Sequence, residues 1–264
     1  MNRIFRDIWS YRYFIISSIK TEFRSRFVRS KLGALWMIFH PLAQVLIYAL
    51  VLSAVLKAKL PGIESQYAYA IYLMAGMVGW TLFMDIASRM LTVFIDNGNL
   101  IKKMSFPKLT LPLIIIGSSL INFLLLFIVM VIVFAFLGHF TFSALLWIPL
   151  LMVLTMALAI GIGLTLGILN VFIRDIGQVM SIVFQFWFWL TPVVYASSMI
   201  PQEYRHLLFL NPMTGIIEGY HSILVYNKMP QLALLIYPSL LSLALLTLAL
   251  FLYRKSNAEM ADLL

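Results

Sequence analysis

Long apolar runs separated by short polar or basic stretches dominate this chain, and most approach the twenty or so helical residues that cross ~30 Å of hydrocarbon. They predict spans near 33–56, 67–95, 109–136, 144–170, 177–196 and 231–253. The second is overlong and is expected to tilt or to project from the bilayer. The fifth is short, hemmed by Arg174-Asp175 before it and Pro201 after it. Ahead of the first span, residues 1–32 mix apolar and basic positions. Ile4, Ile8, Tyr11, Ile15 and Ile19 share one arc at the helical period, as an amphipathic helix requires. Phe23 and Phe27 leave that arc, so a bend is expected near Ser17-Ser18. Such a helix suits the cytoplasmic headgroup layer, the alternative being a soluble helix packed on a partner. Residues 197–230 are too polar to span and too apolar for a plain loop. Asn211-Pro212 divides them, and a residue before proline avoids the helical region. The expected form is two short helices that dip into the outer leaflet and return, their backbone satisfied by protein or a water-filled cavity.

Composition strengthens this reading. Hydrophobic residues make up 62% of 264 positions and charged residues 11%, with a mean hydropathy of +0.98. A soluble domain could not bury that much apolar surface; a bilayer removes the need. The net charge of +9 follows topology rather than a nucleic-acid face. With the N-terminus inside, fifteen Lys and Arg fall on cytoplasmic segments and four (Lys57, Lys59, Arg205, Lys228) outside, which predicts that both termini are cytoplasmic. The fold class is therefore an all-α integral membrane protein, one multi-pass domain over residues 1–264 in a bacterial inner (plasma) membrane. Residues 1–30 lack the continuous apolar core of a secretory signal. The absence of cysteine excludes disulfides and thiolate chemistry.

No G-x-x-x-x-G-K-[ST] occurs, so no P-loop is encoded, and no H-E-x-x-H occurs; His40, His139, His206 and His221 are scattered. No catalytic, cofactor-binding or metal-ligating set emerges. Few ionisable groups fall inside spans. Asp85 and Arg89 are four apart and are expected to pair across one helical turn. His40-Pro41 marks a kink in the first span. Without a chain of buried carboxylates or inverted repeats, an ion-coupled carrier or a membrane enzyme is disfavoured. The cytoplasmic stretch 96–108 stands apart: Asp96 is placed to cap a short helix whose apolar positions Leu100, Ile101 and Met104 offer knobs to a partner, with Pro107 ending it. Aromatics reach 14%, and Trp189 and Tyr195 gather with Tyr67, Tyr69 and Tyr72 toward the outer end, a ring suited to stacking on sugars.

Five stretches carry a resemblance to a known family. They are Arg24 to Leu35 with Trp36 and Pro41, Asn99 to Lys103 with Phe106-Pro107, Asn170 to Gln178, Leu190 to Tyr195, and Asn211 to Thr214. In order and spacing the chain resembles the permease subunits of ABC-2 type exporters, in the O-antigen and capsular polysaccharide branch. The resemblance implies a six-span subunit that pairs with a second copy of itself and with two ATP-binding subunits. ATP and Mg would then sit on the partner, and a lipid-linked polysaccharide would cross between the two permeases. It maps an ATPase-coupling helix onto residues 96–107, with Asn99, Leu100, Ile101, Lys102, Lys103, Met104 and Phe106 as contacts. Re-entrant helices map onto 197–227, with Asn211, Pro212 and Glu218 as gate residues. Arg24, Arg26, Arg29 and Lys31 are placed to meet a pyrophosphate-linked lipid head, or else serve as plain inside anchors. Trp36, Tyr67, Tyr69, Tyr72, Trp189 and Tyr195 are the channel aromatics. An ABC-2 permease for teichoic acid, capsule or a small lipophilic substrate is the alternative within the family.

Overall fold

The computed structural model describes residues 9–27, 32–36, 38–39, 42–43, 68–103, 106–139, 143–256 and 259–264. Among them every regular element is helical. Helix α1 (Arg12–Phe27) precedes a 3-10 turn at Gly33–Leu35. Of the predicted first span, Gly33–Leu35 form that turn, Trp36, Ile38, Phe39, Leu42 and Ala43 are helical, and the rest, including His40-Pro41, lies outside the described residues. Then come α2 (Ala68–Asp96), the short α3 (Gly98–Lys103), α4 (Thr110–Phe136) and α5 (Ile148–Phe172), which a 3-10 turn at Ser143–Trp147 leads into. They are followed by α6 (Asp175–Leu190), α7 (Gln202–Leu208), α8 (Pro212–Leu224), α9 (Leu232–Ser256) and α10 (Met260–Leu263). Among the described residues four stretches, within α2, α4, α5 with its leading turn, and α9, are long and apolar enough to cross a membrane. This is a multi-pass membrane protein.

Helix α2 is the mast of the molecule. Inside its most apolar stretch 78% of the residues are buried, against 22% for α4 and for α9, whose outward faces are left to lipid. Its 29 residues make about 44 Å of helix at 1.5 Å per residue, so it overreaches a ~30 Å core as expected. Helix α5 packs along it most extensively, and α9 packs on the other side of α5. Close approach of α2 and α5 depends on Gly163 and Gly167. A methyl at 167 would overlap the Met90 carbonyl oxygen, and one at 163 would stand 2.7 Å from the Met90 Cβ. Small residues let helix backbones meet where lipid supplies no hydrophobic drive, and dispersion replaces it. Asn170 then ties the end of α5 to α2 and α6: Nδ2 donates to the Leu91 carbonyl at 2.9 Å, and Oδ1 accepts from the Gly177 N–H at 2.8 Å, fixing the turn into α6.

Two expectations are corrected here. Helix α1 runs unbroken through Ser17-Ser18, and the turn lies earlier, at Tyr11. Its half-buried face is Phe14, Ile15, Ser18, Ile19, Glu22 and Phe23, which packs against α4, so Phe23 rejoins the stripe without any bend. Serine costs a helix interior only a few tenths of a kcal/mol, and packing outweighs that. The other correction concerns the fifth span. Helix α6 stops at Leu190, not near 196, because Pro192 forces Thr191 into the extended region (ψ 135°). Its 16 residues make about 24 Å, less than the hydrocarbon thickness.

Candidate functional site

The unwound segment after α6 organises one end of the helix bundle. Residues 191–196 are almost wholly buried yet have no helix to satisfy their backbone, and an unpaired buried carbonyl is costly. Tyr69 and Tyr72 of α2 meet that need. The Tyr69 hydroxyl donates to the Val194 carbonyl at 2.6 Å, and the Tyr72 hydroxyl donates to the Tyr195 carbonyl at 3.0 Å. Both rings lie inside the subunit, so their hydroxyls are engaged by the fold. Trp36 and Trp189 are exposed and Tyr195 is half-buried, so the predicted aromatics divide into buried props and surface rings within one subunit. Tyr67 lies outside the described residues.

Asn211 joins three elements. Its Oδ1 accepts from the Met213 N–H (3.0 Å), capping α8, and from Trp187 Nε1 (2.8 Å) on α6. Its Nδ2 donates to Thr191 Oγ1 at 2.9 Å. Pro212 at the first helical position loses nothing there, because that N–H has no intrahelical acceptor. Helix α8 then buries itself among α2, α5 and α9. Gly215 sits against the Leu234 carbonyl, the group whose helical donor Pro238 removes. His221 is fully buried and stacks on Tyr72 with ring centroids 3.7 Å apart. Its Nε2 contacts the Tyr72 carbonyl at 3.2 Å, which can only accept, so Nε2 carries the hydrogen. Nδ1 has no partner, and burial pushes the ring pKa down to about 3, keeping it neutral. One turn earlier, burial pushes the Glu218 carboxyl up, opposed by a hydrogen bond with Ser197, and its Oε1 has no partner. Sequence reasoning named Glu218 but missed His221, whose place against Tyr72 depends on a contact 149 residues away in sequence.

A cavity of about 970 Å³ opens between α2, α4 and α6. Trp80, Phe184, Phe188 and Trp189 form an aromatic side, while Asp85, Asn122 and Gln185 supply polar groups. Asn122 Nδ2 donates to Asp85 Oδ2 at 3.3 Å, and the buried Asn122 Oδ1 has no partner. Aromatic faces with a few convergent hydrogen-bonding groups form a surface on which a polyhydroxylated molecule can lie.

At the end of α2 that leads into α3, the expected Asp85–Arg89 ion pair is present, and Arg89 has a closer partner as well. Arg89 Nη2 donates to Glu22 Oε1 of α1 at 2.7 Å, while its approach to Asp85 is 3.9 Å. Its Nη1 also donates to Ser118 Oγ at 2.9 Å. The i,i+4 spacing supplied one partner; the closer one came from another helix. Asp96 does not cap α3: α2 continues to it, and its carboxylate accepts from Thr92 Oγ1 at 2.6 Å. Asn97 breaks the helix, its Nδ2 donating to the Val93 carbonyl at 2.8 Å. In α3, Ile101 turns inward, Leu100 is half-buried, and Asn99, Lys102 and Lys103 are exposed. The outward face is therefore polar and basic where the sequence suggested apolar knobs. Phe106 is half-buried against Phe14 of α1, with centroids 5.9 Å apart. Arg24 is exposed. Arg29, Lys31 and Met104, with the side chain of Arg26, lie outside the described residues. Among the described residues no group of three His, Cys, Asp or Glu could hold a metal.

The model of one family, ABC-2 type transporter, matches residues 13–225. The chain belongs to the ABC-2 type transporter family. This ABC-2 permease is 25% identical, over 99% of both chains, to a protein named O-antigen export system permease protein RfbA from Myxococcus xanthus. It is 29% identical over 76% of both chains to a protein of the same name from Klebsiella pneumoniae. To the polysialic acid transport protein KpsM of Escherichia coli it is 23% identical, over 90% of this chain and 92% of that one. As an ABC-2 permease the chain is a transport subunit, and membership implies an ATP-binding partner.

Proposed function

We propose that this permease is the membrane-spanning subunit of an ATP-driven exporter that moves a lipid-linked polysaccharide, an O-antigen or similar surface glycan, across the inner membrane. The observation that carries the reading is a likeness extending over nearly the whole chain to a permease named for O-antigen export, in a sequence that encodes no P-loop. Two copies pair to form the passage, and two ATP-binding subunits drive it. Each copy crosses the membrane six times with both termini in the cytoplasm; the strong inside bias of Lys and Arg supports that topology. The described α6, too short to cross by itself, serves as the fifth span together with its unwound extension, and α7 and α8 return through the outer leaflet. Helix α3 docks in the ATP-binding subunit through Asn99, Lys102 and Lys103, and Arg24, Arg26, Arg29 and Lys31 attract the anionic lipid head. The aromatic and polar cavity among α2, α4 and α6 faces the passing glycan.

Deleting the gene in its host tests this reading. The expected result is loss of one surface polysaccharide with its lipid-linked form accumulating inside, restored by the permease only together with its ATP-binding subunit. Unchanged surface glycan would refute the reading; a teichoic acid or a small lipophile accumulating instead would assign the alternative cargo. Single introduced cysteines need no native thiol removed, so impermeant maleimide labelling from outside at Lys57 and Lys228, and its absence at Lys20 and Lys255, checks the topology.

A further inference from the structure

The N-terminal helix is bound to the coupling region more firmly than an amphipathic helix resting on lipid would be. Three contacts hold it. Glu22 receives the Arg89 guanidinium at 2.7 Å, both side chains three-quarters out of solvent. Phe14 meets Phe106, just past α3. Ile19 fills the space over Gly117 of α4. Two of these contacts are apolar and tolerate sliding. The ion pair does not, because a short charge-assisted bond between partly buried groups is lost when the helices slide apart. Arg89 is further anchored by Ser118 and Ser119 on α4, at 2.9 and 3.4 Å, so one guanidinium joins α1, α2 and α4. Beneath it lies a cavity of about 300 Å³ bordered by Glu22, Arg89, Asp96, Asn97 and Leu100. Leu100 belongs to α3, so the coupling helix and the ion pair face the same small space, separated by the Asn97 break.

We propose that Glu22 is a positioning residue for energy coupling: through Arg89 it makes the N-terminal helix α1 travel with the α2–α3 corner when the ATP-binding subunit displaces α3. The inference rests on the reading of α3 as the coupling helix. A push on α3 is delivered to the inner end of α2 across Asn97. The clamp then carries α1, with Arg24 on its exposed side, along with that corner. The part of the chain that first meets the lipid head is thereby moved in step with ATP binding.

The test uses the full permease in complex with its ATP-binding subunit. E22R and R89E are each expected to lower surface glycan about tenfold while the complexes still assemble and hydrolyse ATP. The charge swap E22R/R89E restores export in part, to within about fivefold, because the carboxylate brought to position 89 also stands one turn from Asp85. A merely structural role would not show this rescue together with a persisting ATPase. Single variants exporting at the wild-type level, or a swap exporting no better than either single, would overturn the proposal. E22Q, similar in shape, provides a second measurement should the reversals not fold. Spin labels at K20C and D96C, both exposed positions, report the separation of α1 from the α2–α3 corner. That separation stays constant between nucleotide-free and ATP-bound states in the labelled wild type and changes in E22Q; equal behaviour of the two would overturn the proposal. A wild-type complex that exports no glycan at all would defeat the functional reading instead, and the label distances would still decide whether α1 follows the corner.

Discussion

The two faces of α3 should fail in different ways. Ile101 is 9% exposed and points into the subunit, near the C-terminal segment, where Gly98 touches Leu264 and Met260 is fully buried. Ile101→Ala removes three carbon groups at about 0.8 kcal/mol each, and the cavity left behind brings the loss to about 2–4 kcal/mol. A six-residue helix cannot stand without tertiary contacts, so that loss falls on the seating of α3. The double reversal K102E/K103E touches no packing and should leave thermal unfolding in detergent within about 0.5 kcal/mol of wild type. It acts on the partner, because rim charges govern encounter and salt dependence. Affinity for the ATP-binding subunit, measured by surface-immobilised titration, should fall several-fold at low salt. The difference should shrink as added salt shortens the screening length toward ~3 Å at 1 M. I101A should instead unfold earlier, and its weaker partner binding should be insensitive to salt. If K102E/K103E bound the partner with wild-type affinity at low salt, the outward basic face would not be the dock. If I101A melted with wild type, the inward placement of Ile101 would be refuted.

Other predictions test the core and the outer end. Gly167→Ala sets a methyl against the Met90 carbonyl, which no side-chain rotation relieves, so a loss of about 1–3 kcal/mol in unfolding is expected, and a wild-type melting curve would refute the helix contact. Asn211→Ala removes the α8 cap and leaves the Trp187 N–H without its acceptor, about 2–4 kcal/mol together; a red-shifted tryptophan emission should accompany the loss. His221 ordinarily titrates near 6.5 but only near 3 when folded. The unfolded chain therefore binds the extra proton first, so stability is retained above about 6.5 and drops as pH falls below it, by up to ~1.4 kcal/mol per pH unit. H221F should lose that slope, the raised carboxyl of Glu218 being common to both proteins; identical pH profiles would refute the buried neutral ring.

Mean hydropathy and run length alone determined that this chain is helical and membrane-borne, because in hydrocarbon the backbone must satisfy itself and twenty apolar residues offer only one economical way. They also located α2, α4, α5 and α9 to within a few residues, and the Asn211-Pro212 break between the short helices α7 and α8. Local chemistry was enough for each of these. Partner choice was beyond it. Arg89 pairs with Asp85 because those residues share a helix face, but its closer partner, Glu22, was illegible because it approaches only once α1 lies against α4. Tyr69 and Tyr72 were legible as aromatics near Tyr195, but not as donors to the Val194 and Tyr195 carbonyls, which depend on Pro192 unwinding a segment distant in sequence. The orientation of α3 was illegible for a related reason: in a six-residue helix the periodicity is too short to separate an inward face from an outward one. Periodicity records what each residue needs, solvent, lipid or a partner; which residue meets that need is decided by the packing of helices distant in sequence.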